Sequence, residues 1–99
     1  MNRTVKFMNN ILIKEAVGDR GLRVYRKPVD GRLGINGLSK LVLEETGHEP
    51  KGDEAYVFFP KNQDMIRILS VDHIGVSMVE LFGMKAKEMK EELIQMDLI

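Results

Sequence analysis

Two apolar runs, AYVFF (Ala55 to Phe59) and MIRILSV (Met65 to Val71), stand five residues apart across the polar stretch Pro60 to Asp64. No other feature constrains the fold as tightly. Both runs are rich in β-branched and aromatic residues, which suit a pleated sheet. Proline, asparagine and aspartate between them favour a turn. A connection of this length joins antiparallel neighbours, so the pair reads as a hairpin, with AYVFF suited to a central strand.

The rest of the chain can be read outward from that hairpin. Val5, Met8, Leu12 and Ala16 recur at helical spacing, with Thr4 as a candidate cap and Gly18 and Gly21 as terminators. A frayed or strand-like arm is the alternative for this segment. GLRVYR (Gly21 to Arg26) alternates Leu22 and Val24 with Arg23 and Tyr25, the pattern of a half-buried strand showing arginine on its open face. Lys27-Pro28 is expected to stop it, because proline lacks a ladder N–H. After Asp72-His73 and Gly75, Val76 to Phe82 suits a third strand. From Met84, the residues Ala86, Met89, Leu93 and Met96 share one helical side. The order α-β-α-β-β-β-α implies an α+β fold, a small antiparallel sheet of three to four strands packed against helices. Residues 1–99 read as one domain, with an N-terminal helical arm over 1–20 and a C-terminal amphipathic helix over 84–99.

Within PVDGRLGINGL (Pro28 to Leu38) three glycines, Gly31, Gly34 and Gly37, are spaced by three. Each would cost a helix interior roughly 1 kcal/mol relative to alanine. At 100° per residue, Ile35, Leu38, Leu41 and Val42 span about 120°, and the glycines fall inside or beside that arc. They are therefore expected to bring a bare helix backbone close to a sheet, with Asp30 as N-cap and Gly47 just past the end. Phosphate or partner binding is the competing use of such glycines.

Composition removes several function classes. The absence of cysteine excludes disulfide frameworks, thiolate catalysis and cysteine zinc sites. Two histidines, His48 and His73, do not make a metal site without carboxylate help, so no metal or cofactor is expected. No run nears the roughly 18 apolar residues of a membrane span. The N-terminus lacks a signal-peptide pattern, and a cytoplasmic location is the default. Net charge is zero, which weighs against strong nonspecific nucleic-acid binding. The charge is nonetheless uneven. Arg20, Arg23, Arg26, Lys27 and Arg32 face only Asp30 between residues 20 and 32. Glu44, Glu45, Glu49, Asp53 and Glu54 face only Lys51 between 44 and 54.

Candidate chemistry is sparse. GINGLSK contains a G-x-x-G of the kind that clamps nucleic-acid backbone, but Ile35-Asn36 at its centre is not basic and a strand precedes it. The P-loop order is absent. Asp30 with Arg32 offers an acid beside an anion binder, or simply a cap beside an ion-paired arginine. Asp72-His73 offers half a catalytic pair near Ser70 and Ser77, or simply a turn. The methionine-rich stripe of the last helix can pack on its own sheet or on a second copy, and the apolar end Met96 to Ile99, awkward in water, leaves such a homodimer contact and self-packing equally open.

Taken together, PVDGRLGINGLSKLV, EPKGDEAYVFF, MIRILSVD and Gly75 resemble the TnpB-type accessory proteins of insertion-sequence-66 transposons. That family reads P-x-D-M-R-K-x-x-x-G-L, then P-x-x-G-x-x-F-V-F, a basic turn, D-R-I-K-L-L and W-D-G-x-G. Pro28, Asp30, Arg32, Gly37, Leu38, Pro50, Gly52, Val57, Phe58, Asp64, Ile66, Leu69, Asp72 and Gly75 fit in register from about Val24 to Gly75. Arg67 stands where lysine is usual.

The resemblance implies a small non-enzymatic protein encoded beside a transposase and assisting transposition, through DNA or through the transposase itself. If DNA is touched, Arg23, Arg26, Lys27, Arg32, Lys61 and Arg67 are the expected phosphate contacts. The chain departs from the family at several points. Its hairpin turn keeps one lysine where arginines are usual, Val71 replaces tryptophan, and Glu80-Leu81-Phe82 replaces a lysine-arginine strand end. The other function consistent with these losses is a homodimeric protein–protein module that does not bind DNA.

Overall fold

A computed structural model describes residues 11–62 and 64–99, with the side chains of Ile11 and Leu12 excepted. The expected Thr4 cap, Val5 and Met8 of the first helix, and Gln63 of the hairpin turn, lie outside the described residues. These residues form α1 (Ile11–Val17), β1 (Gly21–Val29), α2 (Ile35–Thr46), β2 (Glu54–Pro60), β3 (Met65–Val71), β4 (Val76–Phe82) and α3 (Gly83–Gln95). The sheet order is β1-β2-β3-β4.

Every residue of β2 is buried, because helices cover the sheet on both faces. Side chains alternate across a strand. Ala55, Val57 and Phe59 therefore join Leu22, Ile66 and Ile68 under α1 and α3, against Ile13, Val17, Met89 and Leu93. Tyr56 and Phe58 join Val29 and Leu69 under α2, against Leu38 and Val42. Burying one such large apolar side chain contributes on the order of 2 kcal/mol. Two cores, one on each face, therefore hold the sheet.

β2, β3 and β4 form an antiparallel meander, and Tyr56 pairs Leu69 while Ile68 pairs Val79. β1, by contrast, runs parallel to β2, with Leu22 beside Ala55 and Tyr25 beside Phe58. The sheet is thus mixed, not purely antiparallel. A parallel neighbour needs a crossover of a dozen or so residues, and α2 with its flanking loops supplies it.

β1 also continues through Lys27-Pro28 to Val29, beyond the expected stop. Its pairing with β2 shifts between Tyr25 and Val29. An edge strand tolerates proline where no ladder hydrogen bond is required.

Both outer helices end on backbone turns. Gly18, at φ 65°, closes α1 as its N–H donates to the Lys14 carbonyl at 2.7 Å. α3 stops at Gln95, short of the expected 99. Asp97 takes φ 60°, its N–H donating to the Ile94 carbonyl, while the Leu98 N–H donates to Leu93. This pair of bonds is a Schellman closure, a hook that turns the last residues back on the helix. Met96 and Leu98 are buried by it, so most of the apolar end lies in the chain's own core, while Ile99 stays 38% exposed. The stripe Ala86, Met89, Leu93 and Met96 likewise faces this core rather than a second copy.

Candidate functional site

The basic residues divide by what they hold. Arg23 projects to the α2 face and donates from Nε to Glu54 Oε2 at 2.7 Å. That carboxylate is 2% exposed, and its Oε1 accepts the Tyr56 hydroxyl at 2.8 Å. Burial, together with this bond to Glu54, pushes the Tyr56 phenol up to about 12. Arg67 donates to Glu80 at 2.9 Å and to the Leu33 carbonyl at 2.8 Å, tying β3 to β4 and to the approach of α2. Arg26 donates from Nε to the Leu98 carbonyl at 3.1 Å, which fastens the C-terminal hook to β1.

Arg32 forms a two-point ion pair with Asp30, from Nε at 3.1 Å and Nη2 at 2.8 Å. The arginine hydrogen bond holds the Asp30 carboxyl well below the usual carboxylate range, and the charge of Lys61 adds to that effect. The Lys61 N–H donates to the Val29 carbonyl at 2.8 Å. Lys27, Arg32 and Lys61 are exposed and stand at the end of the sheet where Val29 lies beside Pro60. The structure therefore gathers part of the expected phosphate-contacting set there. Arg23 and Arg67 serve internal pairs instead.

Another feature of this surface is one the sequence did not signal. A groove of about 290 Å³ opens between β1 and α2. Tyr56 and Phe58 lie beneath it, Leu41 and Glu45 come from the helix, and Tyr25 and Arg26 from the strand. The Tyr25 and Phe58 rings sit 5.7 Å apart at a tilt of 37°, a separation favourable to aromatic pairs. The parallel register of β1 on β2 sets Tyr25 beside Phe58. That register was the missing signal, since alternation alone placed Tyr25 on a face without naming its neighbour.

The glycine stretch does something other than expected. Gly31 and Gly34 precede α2, and Gly34 occupies its N-cap position with extended backbone and no neighbour within 4 Å of a Cβ placed there. Gly37 is the helical glycine, and a Cβ there would come within 2.7 Å of Leu33 Cδ2. The close approach is thus local, to Leu33, and no bare helix flank lies on the sheet. Asp30 is not the N-cap either. Its Oδ1 accepts the Arg32 N–H at 2.9 Å, forming a side-chain-closed turn two residues long. Pro28 is exposed on β1.

Asp72 and Gly75 close the β3–β4 turn. Asp72 Oδ1 accepts the N–H groups of Ile74 at 2.8 Å and Gly75 at 3.2 Å. Gly75 adopts φ 142°, a conformation that side chains disfavour. His73 is exposed beside them. Among the described residues no group of three histidine, aspartate or glutamate side chains is placed to hold a metal. Nor is any described helix long and apolar enough to cross a membrane.

Neither the curated proteins nor the solved structures gave a match to this chain. The model of one protein family, IS66 Orf2 like protein, matches residues 21–89, from the start of β1 to the middle of α3. That span includes the mixed sheet, the crossover helix and the groove between them, and it covers well over half of the 99 residues. The chain therefore belongs to the IS66 Orf2-like family of transposon-associated accessory proteins.

Proposed function

We propose that this chain assists transposition without catalysis, by contact with the transposase of the same element, and that the β1–α2 groove receives a segment of that partner. The groove itself carries the reading. It combines an aromatic floor with a rim bearing Lys27 on the strand and Glu45 on the helix. Such a site suits one apolar side chain with an acidic neighbour on the β1 side. Apolar anchors of this kind dominate protein contacts. Family membership supplies the transposition context, and the turn formed by Asp72 and Gly75 accounts for the Asp72–His73 pair without a reaction.

A second reading, phosphate contact, is favoured by Lys27, Arg32 and Lys61 standing at one end of the sheet. Its weakness is electrostatic. Arg23, Arg32 and Arg67 are ion-paired within the chain, and the formal net charge is zero.

The test is binding of the purified transposase by calorimetry, with the Tyr25→Ala and Leu41→Arg variants. Loss of a central anchor costs more than about 1.4 kcal/mol, so each variant should weaken binding at least tenfold. Unchanged affinity in both would remove the groove from the function. Fluorescence anisotropy with duplex DNA across a salt series tests the other reading. Tight binding that Lys27→Ala and Lys61→Ala together abolish would replace the protein contact with a phosphate contact.

A further inference from the structure

The two edges of the sheet are chemically unlike. β1 presents exposed Arg26, Lys27 and Pro28, and its pairing is irregular beyond Tyr25. Charged residues, proline and irregularity all discourage another strand from adding to an edge. β4 has neither the proline nor the irregular pairing. Its seven residues, VSMVELF, pair with β3 without a register shift. They include no lysine, arginine or proline, and the one charge, Glu80, is bonded by Arg67 of the neighbouring strand.

Among the described residues no strand lies on the outer side of β4. Five of the nine exposed large apolar side chains belong to this edge or its flanks: Ile74, Val76, Val79, Phe82 and Met84. Such an edge is a template for strand addition.

We propose that β4 pairs with β4 of a second copy, antiparallel about a two-fold axis at Val79, to make one continuous eight-stranded sheet. Self-complementarity in this register carries the proposal. With Val79 opposite its own counterpart, Val76 faces the partner's Phe82, and Ser77 faces the partner's Leu81. Glu80 faces the partner's Met78, so no two carboxylates stand opposed. Beyond the strand ends, Ile74 and the partner's Met84 arrive together, and these are the two most exposed apolar side chains, at 85% and 73%.

Neighbouring registers are worse. An axis at Glu80 opposes two carboxylates, which is destabilising. An axis at Met78 also opposes an apolar residue to Glu80, and it brings exposed Met84 opposite Asp72 instead of Ile74. A stable interface needs roughly 800 Å² per partner. The flanking Ile74, Phe82 and Met84 supply apolar area beyond the strand backbone itself.

Light scattering of the full chain, with crosslinking of single-cysteine variants, tests the pairing. The full chain should show twice the mass of the 11.3 kDa monomer. Val79→Lys places two ammonium groups on the axis and should halve that mass, with an unchanged circular-dichroism spectrum because Val79 is 43% exposed. The chain has no cysteine of its own. Val79→Cys should therefore give a covalent dimer with a short bismaleimide, and Lys27→Cys on the opposite edge should not. The crosslinking result decides the matter if Val79→Lys fails to fold. A full chain of monomeric mass overturns the proposal, as does a folded Val79→Lys variant that stays dimeric, or crosslinking at Lys27 in preference to Val79.

Discussion

Arg23 and Glu54 meet at 2.7 Å where β1 and β2 begin, the carboxylate nearly inaccessible and the arginine side chain 31% exposed. The buried acid lies in the acidic half of the chain and its partner in the basic half. The charge imbalance along the sequence is therefore partly resolved inside the molecule.

Removing either partner should cost stability unequally. Glu54→Ala deletes the acceptor used by both Arg23 and Tyr56 and should cost about 2–3 kcal/mol. Arg23→Ala should cost more, about 3–4 kcal/mol, since it leaves the buried Glu54 carboxylate without this counter-charge. Urea unfolding of the two variants checks the order, and equal losses would contradict it.

Tyr56 should titrate late. Its folded value of about 12 lies above the roughly 10 of a free tyrosine, so the fold favours the neutral phenol. The associated stability is fully present below pH 10 and is lost as pH rises from about 10 through 12. Tyr56 should therefore show a delayed phenolate absorbance. Tyr56→Phe should abolish the delayed component.

Glu92, on α3, is shifted in the same direction. Burial raises its pKa, against a hydrogen bond from the Ile13 backbone, and the Glu88 charge raises it further. Its Oε1 is buried without a hydrogen-bond partner. A carboxyl raised on folding costs stability when ionised, and the cost lifts as pH falls through its folded value. Glu92→Gln should raise the melting temperature at neutral pH and lose that advantage in acid. A variant less stable than the parent at pH 7 would show that the ionised carboxylate is well accommodated.

The α3 hook predicts a stabilising change. Asp97 holds a left-handed backbone at φ 60°, which glycine adopts without the penalty that other residues meet. Asp97→Gly should add about 1 kcal/mol to unfolding stability. A decrease would show that the aspartate side chain contributes to the turn.

Element order was legible because each element carries its own period. AYVFF and MIRILSV announced the hairpin, and Val76 to Phe82 its third strand. The direction of β1 was not legible, since alternation reports which face a residue takes and nothing about which way its neighbour runs. The groove followed that direction and was lost with it. Placing Asp30 at the N-cap failed for a related reason. The local ion pair with Arg32 competes for the same carboxylate, leaving Gly34 to open the helix. The basic residues were identified as a surface set, but Glu54 and Glu80, distant in sequence, claim two of them.

Roofed above and below by helices, the sheet keeps only its rims for company. Joined at one rim, two copies would carry their vacant rims outward, about seven strand spacings or roughly 34 Å apart. Two sockets held that far apart on one stiff plate would let a partner with paired tails grip far harder than either tail could alone.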